Sequence, residues 1–418
     1  MFGKFCDAFL YCFASLLFAS IAGIALLMAV YSIPNDKISK NVKESFMSIQ
    51  TNPDYLNYGI IKARPDYYTD FLILNIASLR TTSSPFEASI LAPRYAGYKH
   101  IDLNLAVSLM SDIAPQSDSV ASYPRYWHGY LVMLKPLLLF FNINIIRGIN
   151  YTLQTMLLAF ALFLLYKRLN MGYSLALLCP VLLINPISAG FCFQYSVIYY
   201  ILLVSMIVLL MKHNQNNWKI FFWTGVATAF FDLLTYPLVP VGFLMIVSLA
   251  LYDMPLLKNV ICCAKRGFAW LGGYFGMWFC KWWIASIYTG ENIFLDAYID
   301  VSDRTFGDGL KEGVFITDPL AGIKTNWELI NHTSVWLSLL LFVVLIVAYA
   351  LVKKKRWKLS WKPVLIALVG LAPFVWYLVV REHSVVHPYI AYRLLAIAFF
   401  AATASVAACI TDKEKAAD

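Results

Sequence analysis

Five residues able to bind an anion or move a proton fall within one short stretch, REHSVVHPYIAYRLLAI (381–397): Arg381, Glu382, His383, His387 and Arg393. The first four precede an apolar run and Arg393 lies inside it. Pro388 suits the first turn of a helix, where a missing N–H costs nothing, so a helix is expected to begin at His387. Its N-terminus would carry unpaired N–H groups and partial positive charge. Tyr389 and Arg393 are four apart and share a helical face. A guanidinium that deep in apolar surroundings must face a bundle interior or a cavity. Together with His383 and His387 it forms a set suited to a phosphate. The competing reading is a topogenic charge held in a structural ion pair.

Carboxylates and further cations occur elsewhere. RPDYYTDFLILNIASLR (64–80) carries Asp66 and Asp70, the latter opening an apolar helical stretch; either could act as a general base or merely cap a helix. Asp36 follows the first apolar run. SYPRYWHGY (122–130) sets Arg125 and His128 among aromatics, which also suits an interfacial belt. Lys135 follows, with the option of snorkelling to an interface or reaching a lipid phosphate. Asp232, in FFDLLTYP (230–237), is a carboxylate inside an apolar segment, so it reads as functional by default or as a structural hydrogen-bonding group. There is no phosphate-cradling glycine loop, nucleophile elbow or HExxH motif.

The elements that must position these residues are membrane spans. The 418-residue chain is 60% hydrophobic and 14% charged, against about 25% charged for soluble domains, and several apolar runs approach the ~20 residues needed to cross a bilayer. The net charge of +9 falls in short patches between these runs, so it reads as topological rather than as a nucleic-acid footprint. The eight cysteines show no metal-site spacing or disulfide framework. The expected fold is an all-α polytopic bundle of one transmembrane domain with ten spans. These are 8–33, 147–166, 172–189, 193–211, 218–235, 238–253, 267–287, 333–352, 362–380 and 389–409.

With both termini inside, Lys167, Arg168, Lys212, Lys219, Lys258, Lys265, Arg266 and the KKKRWK run at 353–358 are cytoplasmic, in line with the positive-inside rule. Two long loops, 34–146 and 288–332, then lie outside. In the first, Ile38, Val42, Phe46 and Ile49 recur at helical spacing, as in a helix resting on a membrane surface. The segment 127–143, interrupted by Lys135-Pro136, is expected to lie at the interface or dip partway in, with a kinked full span as the alternative.

The stretches YYTDFLILNIAS, RYWHGYLVMLKPLL, FDLLTYPLVPVG and HSVVHPYIAYRLLAI resemble those of a group of bacterial membrane proteins mostly without an assigned function. The chain's many spans, long first outer loop bearing carboxylates and basic anion site on the same side resemble the GT-C superfamily of integral-membrane glycosyltransferases, the serotype-modifying and cell-surface polysaccharide enzymes among them. The layout of the whole chain is similar to theirs. The resemblance implies a plasma-membrane enzyme that moves a sugar from a polyprenyl-phosphate donor, such as undecaprenyl phosphate, to a glycan or lipid-linked acceptor on the extracytoplasmic side. It implies a loop carboxylate as base: Asp70, with Asp66 and Asp36 behind it. Arg393, His387, His383, Arg125, His128, Lys135, Tyr389 and Asp232 would surround substrate and phosphate. The chain lacks the adjacent acidic pair that some GT-C families carry after the first span, which leaves the choice of base open. No cofactor is implied, and assistance by a divalent cation is left open. A lipid-linked sugar flippase, a polysaccharide polymerase or ligase, and a non-enzymatic membrane partner are the rival readings.

Overall fold

The computed structural model describes residues 2–51, 67–79, 84–95, 120–212, 214–306, 316–358 and 360–411. Asp66 lies outside them. The described chain is almost wholly helical. It opens with α1 (Phe2–Tyr31), α2 (Asn35–Thr51), α3 (Tyr67–Ser78) and α4 (Pro85–Leu91). A two-residue antiparallel ladder follows, β1 (Arg94–Tyr95) on β2 (Val120–Ala121). Next come α5 (Leu131–Leu138), α6 (Ile143–Arg168), α7 (Met171–Ile184), α8 (Pro186–Phe191), α9 (Phe193–Met211), α10 (Trp218–Phe231) and α11 (Leu238–Leu251). The remainder is α12 (Leu256–Thr289), α13 (Ile293–Phe306), α14 (Ala321–Ile330), α15 (Thr333–Val352), α16 (Trp361–Val369), α17 (Ala372–Val379), α18 (Arg381–Val386), α19 (Pro388–Ala391), a 3-10 turn (Tyr392–Leu395) and α20 (Ala396–Ala408). A second ladder pairs β3 (Arg356–Trp357) with β4 (Ile410–Thr411).

By length and composition, six of these segments can cross a membrane: Cys6–Tyr31, Ile143–Arg168, Phe193–Met211, Thr333–Val352, Trp361–Val379 and Pro388–Ala408. The protein is therefore a multi-pass membrane protein. α9 is central, with 83% of its apolar window buried, and the last span follows at 72%. The α6 and α15 windows are 22% buried, and residues such as Phe13, Phe160 and Leu340 present their side chains outward. That girdle is what lipid would cover.

The other four expected spans are helical but depart from the expected lengths. Expected span 172–189 ends at Ile184, because Asn185 precedes Pro186 and turns left-handed at φ 56°; the residue before proline is driven out of the α region. Expected span 218–235 ends at Phe231, with Asp232 as its C-cap. Helix α11 has 14 residues. Expected span 267–287 is the interior of the 34-residue α12, which at ~1.5 Å per residue is ~50 Å long. Its first turns therefore extend past the expected span at the lysine-rich end, where Lys258 and Lys265 are exposed and Arg266 is buried.

The expected amphipathic helix at 36–50 forms as α2, but its stripe is covered by protein rather than lipid. Ile38, Val42, Phe46 and Ile49 are all buried, with Phe46 stacked on Phe71 of α3 at 5.2 Å. The Asn41 side chain donates to the Leu138 carbonyl, and Ser45 Oγ accepts from Ile143 N–H. The 127–143 segment contains only the eight-residue α5, which at ~12 Å cannot cross a bilayer core of about 30 Å.

Helices α10 and α12 approach through glycine. A Cβ on Gly225 would sit 2.3 Å from the Trp270 carbonyl oxygen, and one on Gly273 2.1 Å from that of Phe222. Small residues that let backbones touch are a principal means of helix association in lipid. Gly273→Ala is expected to lower the thermal midpoint in detergent, as an overpacked contact costing about 1–3 kcal/mol would. Gly267→Ala, on the same helix but facing open space, should leave the midpoint unchanged or raise it. Equal effects from the two substitutions would contradict this account of the packing.

Candidate functional site

Two poles of the bundle differ in chemistry. One carries the lysine patches and the short Asn214–Asn217 turn, where Arg266 Nε donates to Asn217 Oδ1 at 2.7 Å and its Nη2 to the Gln215 carbonyl at 3.2 Å. The other, loop-rich pole carries α2 to α5, α8, α13 and α18. It gathers most of the residues singled out from the sequence, in two layers.

The inner layer surrounds the break between α7 and α9. Asp70, in the first turn of α3, is buried. Its Oδ2 pairs with Arg147 Nη2 of α6 at 3.1 Å, and its Oδ1 accepts the Phe193 N–H at the start of α9 at 3.0 Å. Arg393 reaches the same break from the last span, with no measurable exposure. Its Nε donates to the Ile184 carbonyl at 3.2 Å, Nη2 to Ser188 Oγ at 2.7 Å and Nη1 to the Tyr389 carbonyl. Its face lies 3.8 Å from the Tyr195 ring centroid. The expected start of this span near His387 holds, with His387 as the cap and Pro388 as the first residue, but the helix tightens to a 3-10 turn where Arg393 sits. Asp70 and Arg393 thus share a pole and brace one loop from two sides.

The outer layer is built on one face of α13. Asp296, Asp300 and Arg304 follow at four-residue intervals, with Asp303 beside them. Arg125 Nη1 meets both oxygens of Asp296 at 2.8 Å, and its Nη2 lies 3.3 Å from Asp300 Oδ1. Arg304 Nε pairs with Asp300 Oδ2 at 3.0 Å. Both Asp303 carboxylate oxygens are buried with no hydrogen-bond partner among the described residues. From α18, burial pushes the Glu382 carboxyl above its ordinary range; Arg304 opposes this, while Asp303 and Asp300 add to it. Burial holds His383 well below the usual imidazole range, reinforced by Arg304 and His387 and partly offset by a hydrogen bond to the Leu234 backbone. Its Nε2 is buried without a partner among the described residues, and its ring lies 4.9 Å from that of His387. A polar cavity of about 320 Å³ opens beside this face. Arg94, Tyr123, Arg125, Glu291, Asn292 and Asp296 line it. Arg94 stacks on Tyr123 at 4.8 Å.

The remaining expected residues have local partners. His128 sits at φ 55°, with Nδ1 2.9 Å from Tyr130 Oη and Nε2 3.1 Å from the Tyr123 carbonyl. Burial, with Lys281 adding, brings it down to about 3, so it stays neutral. Lys135 does not snorkel: it is buried, 5.5 Å from the Tyr31 ring centroid, because α5 turns that face inward. Asp232 closes a turn by accepting the Thr235 N–H and hydroxyl. Asp36 is exposed in the first turn of α2, where a carboxylate complements the helix dipole.

Sequence reading missed Asp296, Asp300, Asp303 and Arg304, although their three- and four-residue spacing marks one helical face. It also missed Arg94 and Arg147, isolated arginines in or beside apolar runs. No described group of His, Cys, Asp and Glu could hold a metal ion. Comparison with protein families, curated sequences and solved structures finds no match to this chain.

Chemically, the outer layer offers guanidinium groups for an anion, with the polar cavity beside Arg94 and Arg125, and, farther along α13 and on α18, partly desolvated carboxylates for a proton. Two consequences can be measured. Asp70→Asn strands a buried guanidinium, which costs about 3–5 kcal/mol, and should lower the thermal midpoint sharply. The Asp70→Leu/Arg147→Met pair should recover part of that loss; a double variant worse than the sum of its parts would contradict the pairing. The pH response follows from His383. Its folded-state pKa is depressed, so the unfolded chain binds more protons, and its stabilisation is present above about 6.5 and lost as pH falls below that value. Glu382 works in the opposite sense, so the difference between wild type and His383→Phe isolates the histidine. The variant should lose less thermal stability than wild type between pH 7.5 and 5; identical losses would contradict a buried neutral His383.

Proposed function

We propose that the protein is an integral-membrane glycosyltransferase of GT-C type. It takes a sugar from a polyprenyl-phosphate donor and passes it to a cell-surface glycan or lipid-linked acceptor at the loop-rich pole. The observation that carries this reading is the outer layer. Arg125 and Asp296 line a polar cavity, and Asp300, Arg304, Asp303 and Glu382 continue the same charged layer, at the end of a bundle opposite its lysine patches. By the positive-inside rule those patches face the cytoplasm, so the cavity opens outward, where polyprenyl-linked sugars are consumed. A single bacterial plasma-membrane domain with both termini cytoplasmic fits the same reading.

The chemistry needs few parts. A sugar hydroxyl is a poor nucleophile, and a positioned carboxylate can take its proton as the new bond forms. Asp303 and Glu382 suit that role, since neither carboxylate is tied into an ion pair among the described residues and burial raises the Glu382 carboxyl. The acceptor oxygen attacks the anomeric carbon, the bond to the phosphate oxygen breaks, and polyprenyl phosphate leaves with the electron pair. One base and one displacement invert the anomeric centre, by analogy with other inverting transfers. The departing phosphate gains negative charge, which Arg125, Arg304 and Arg94 can stabilise. His383 and His387 flank this region. Asp70, with both oxygens engaged by Arg147 and Phe193, and Arg393, with its donors on carbonyls and Ser188, serve here as the frame that fixes the pole.

Asp303→Asn and Glu382→Gln should each be made in a strain whose surface glycan reports the activity. At least one should lower sugar incorporation by about 10²–10⁴, the usual contribution of general base catalysis, with normal membrane levels. Arg125→Ala should weaken donor use without unfolding the protein. Full activity in both carboxylate variants would refute this assignment of the base. Sidedness is checked by labelling Tyr298→Cys, an exposed position on α13, with a membrane-impermeant reagent. Labelling only after the cells are opened would refute the outward orientation.

A further inference from the structure

A second cavity lies far from the outer layer, in the seam between α9 and α10. It is an apolar groove of about 530 Å³. Its walls include Val197, Ile201, Val204 and Val208 of α9 and Trp223 and Ala227 of α10. From Val197 to Lys212 it follows α9 for ~22 Å at ~1.5 Å per residue. Its basic-pole end is closed by Tyr11, Lys212 and Lys219. Lys219 Nζ lies 3.9 Å from the Tyr11 ring centroid. Both lysines are exposed, and neither is paired with a carboxylate among the described residues.

The packing explains why the seam is open. Gly225 and Gly273 draw α10 hard against α12, while α9 packs on α6 and α11. The short turn after Lys212 joins α9 to α10 at one end only. Val197 at the far end of the groove is buried, Ile201, Val208, Trp223 and Ala227 are half-buried, and Val204 is 48% exposed. A groove of this size and apolar lining offers dispersion contacts along its whole length to an acyl chain. The lysines select the head group, since basic residues at a membrane surface attract anionic lipid.

We infer that the α9–α10 groove is a binding site for a negatively charged phospholipid. One acyl chain lies along Val197 to Val208 and the phosphate rests between Lys212 and Lys219. This inference is independent of the sugar-transfer reading and concerns the opposite pole.

Trp223 in the groove wall supplies the readout. The full chain would be placed in nanodiscs containing phosphatidylcholine or phosphatidylglycerol with brominated acyl chains, which quench indole fluorescence on contact. The chain has 12 tryptophans, so the signal of interest is the difference between wild type and Trp223→Phe. Phosphatidylglycerol should quench the Trp223 component at a several-fold lower mole fraction than phosphatidylcholine. Lys212→Gln and Lys219→Gln should each raise that fraction about fivefold, the effect of one basic residue near a lipid surface. Ala227→Trp, read through lipid binding by native mass spectrometry, should plug the groove and remove the retained phosphatidylglycerol. The site is overturned if the two lipids quench Trp223 equally in wild type. It is overturned too if the lysine variants match wild type, or if neither lipid reaches Trp223 because another helix covers it.

Discussion

The structure depends on satisfying backbone groups where a long apolar run is broken. Residues 172–211 could have made one continuous hydrophobic segment, but Asn185-Pro186 interrupts it and frees carbonyls and N–H groups within the bundle. In hydrocarbon each unsatisfied group costs several kcal/mol, so irregular backbone is tolerated only where protein re-satisfies it. Arg393 takes up the Ile184 carbonyl, Asp70 the Phe193 N–H, Asn185 Oδ1 the Ser188 N–H and Ser196 Oγ the Ala189 carbonyl. Arg147 then balances Asp70. Three distant parts of the chain, at Asp70, Arg147 and Arg393, are tied to one loop by this accounting. The loop in turn anchors α3, α6 and the last span.

That frame explains the division of labour at the pole. Charges that hold the break are wholly buried and have their partners in place. On α13 and the 122–130 segment, Arg125 is shared between Asp296 and Asp300 and lines a cavity, while Asp303 and His383 keep buried polar atoms with no partner among the described residues. Burial raises the Glu382 carboxyl and Arg304 opposes that shift, the kind of perturbed titratable group that marks a functional-site candidate.

Much of the bundle was legible in the sequence because bilayer thickness writes itself into the length of apolar runs. Long helices appear at 193–211 and 333–352 with those bounds, and Pro388 opens the last span as its rigid ring predicts. What misled was the identity of the neighbour. The Ile38–Ile49 stripe signals burial but cannot say whether lipid or protein covers it. Likewise Asp70 and Arg393 were recognisable as costly charges needing company, while their partners, Arg147 and the Ile184–Ser188 turn, lie 77 and 209 residues away at the extremes. Asp300 and Arg304 escaped notice because a polar loop gives charges no reason to stand out. Only their helical spacing marks them, and only once that loop is known to fold as a helix.

The central claim is that the loop-rich pole transfers a sugar from polyprenyl phosphate. The most direct measurement uses purified protein in proteoliposomes with a synthetic short-chain polyprenyl-phosphate sugar and a panel of surface glycan acceptors, following free polyprenyl phosphate and the anomeric configuration of the product. The account expects release of polyprenyl phosphate that depends on acceptor, an inverted product, and loss of both on removal of Arg125. Translocation of the intact donor across the bilayer with no bond cleaved would contradict it.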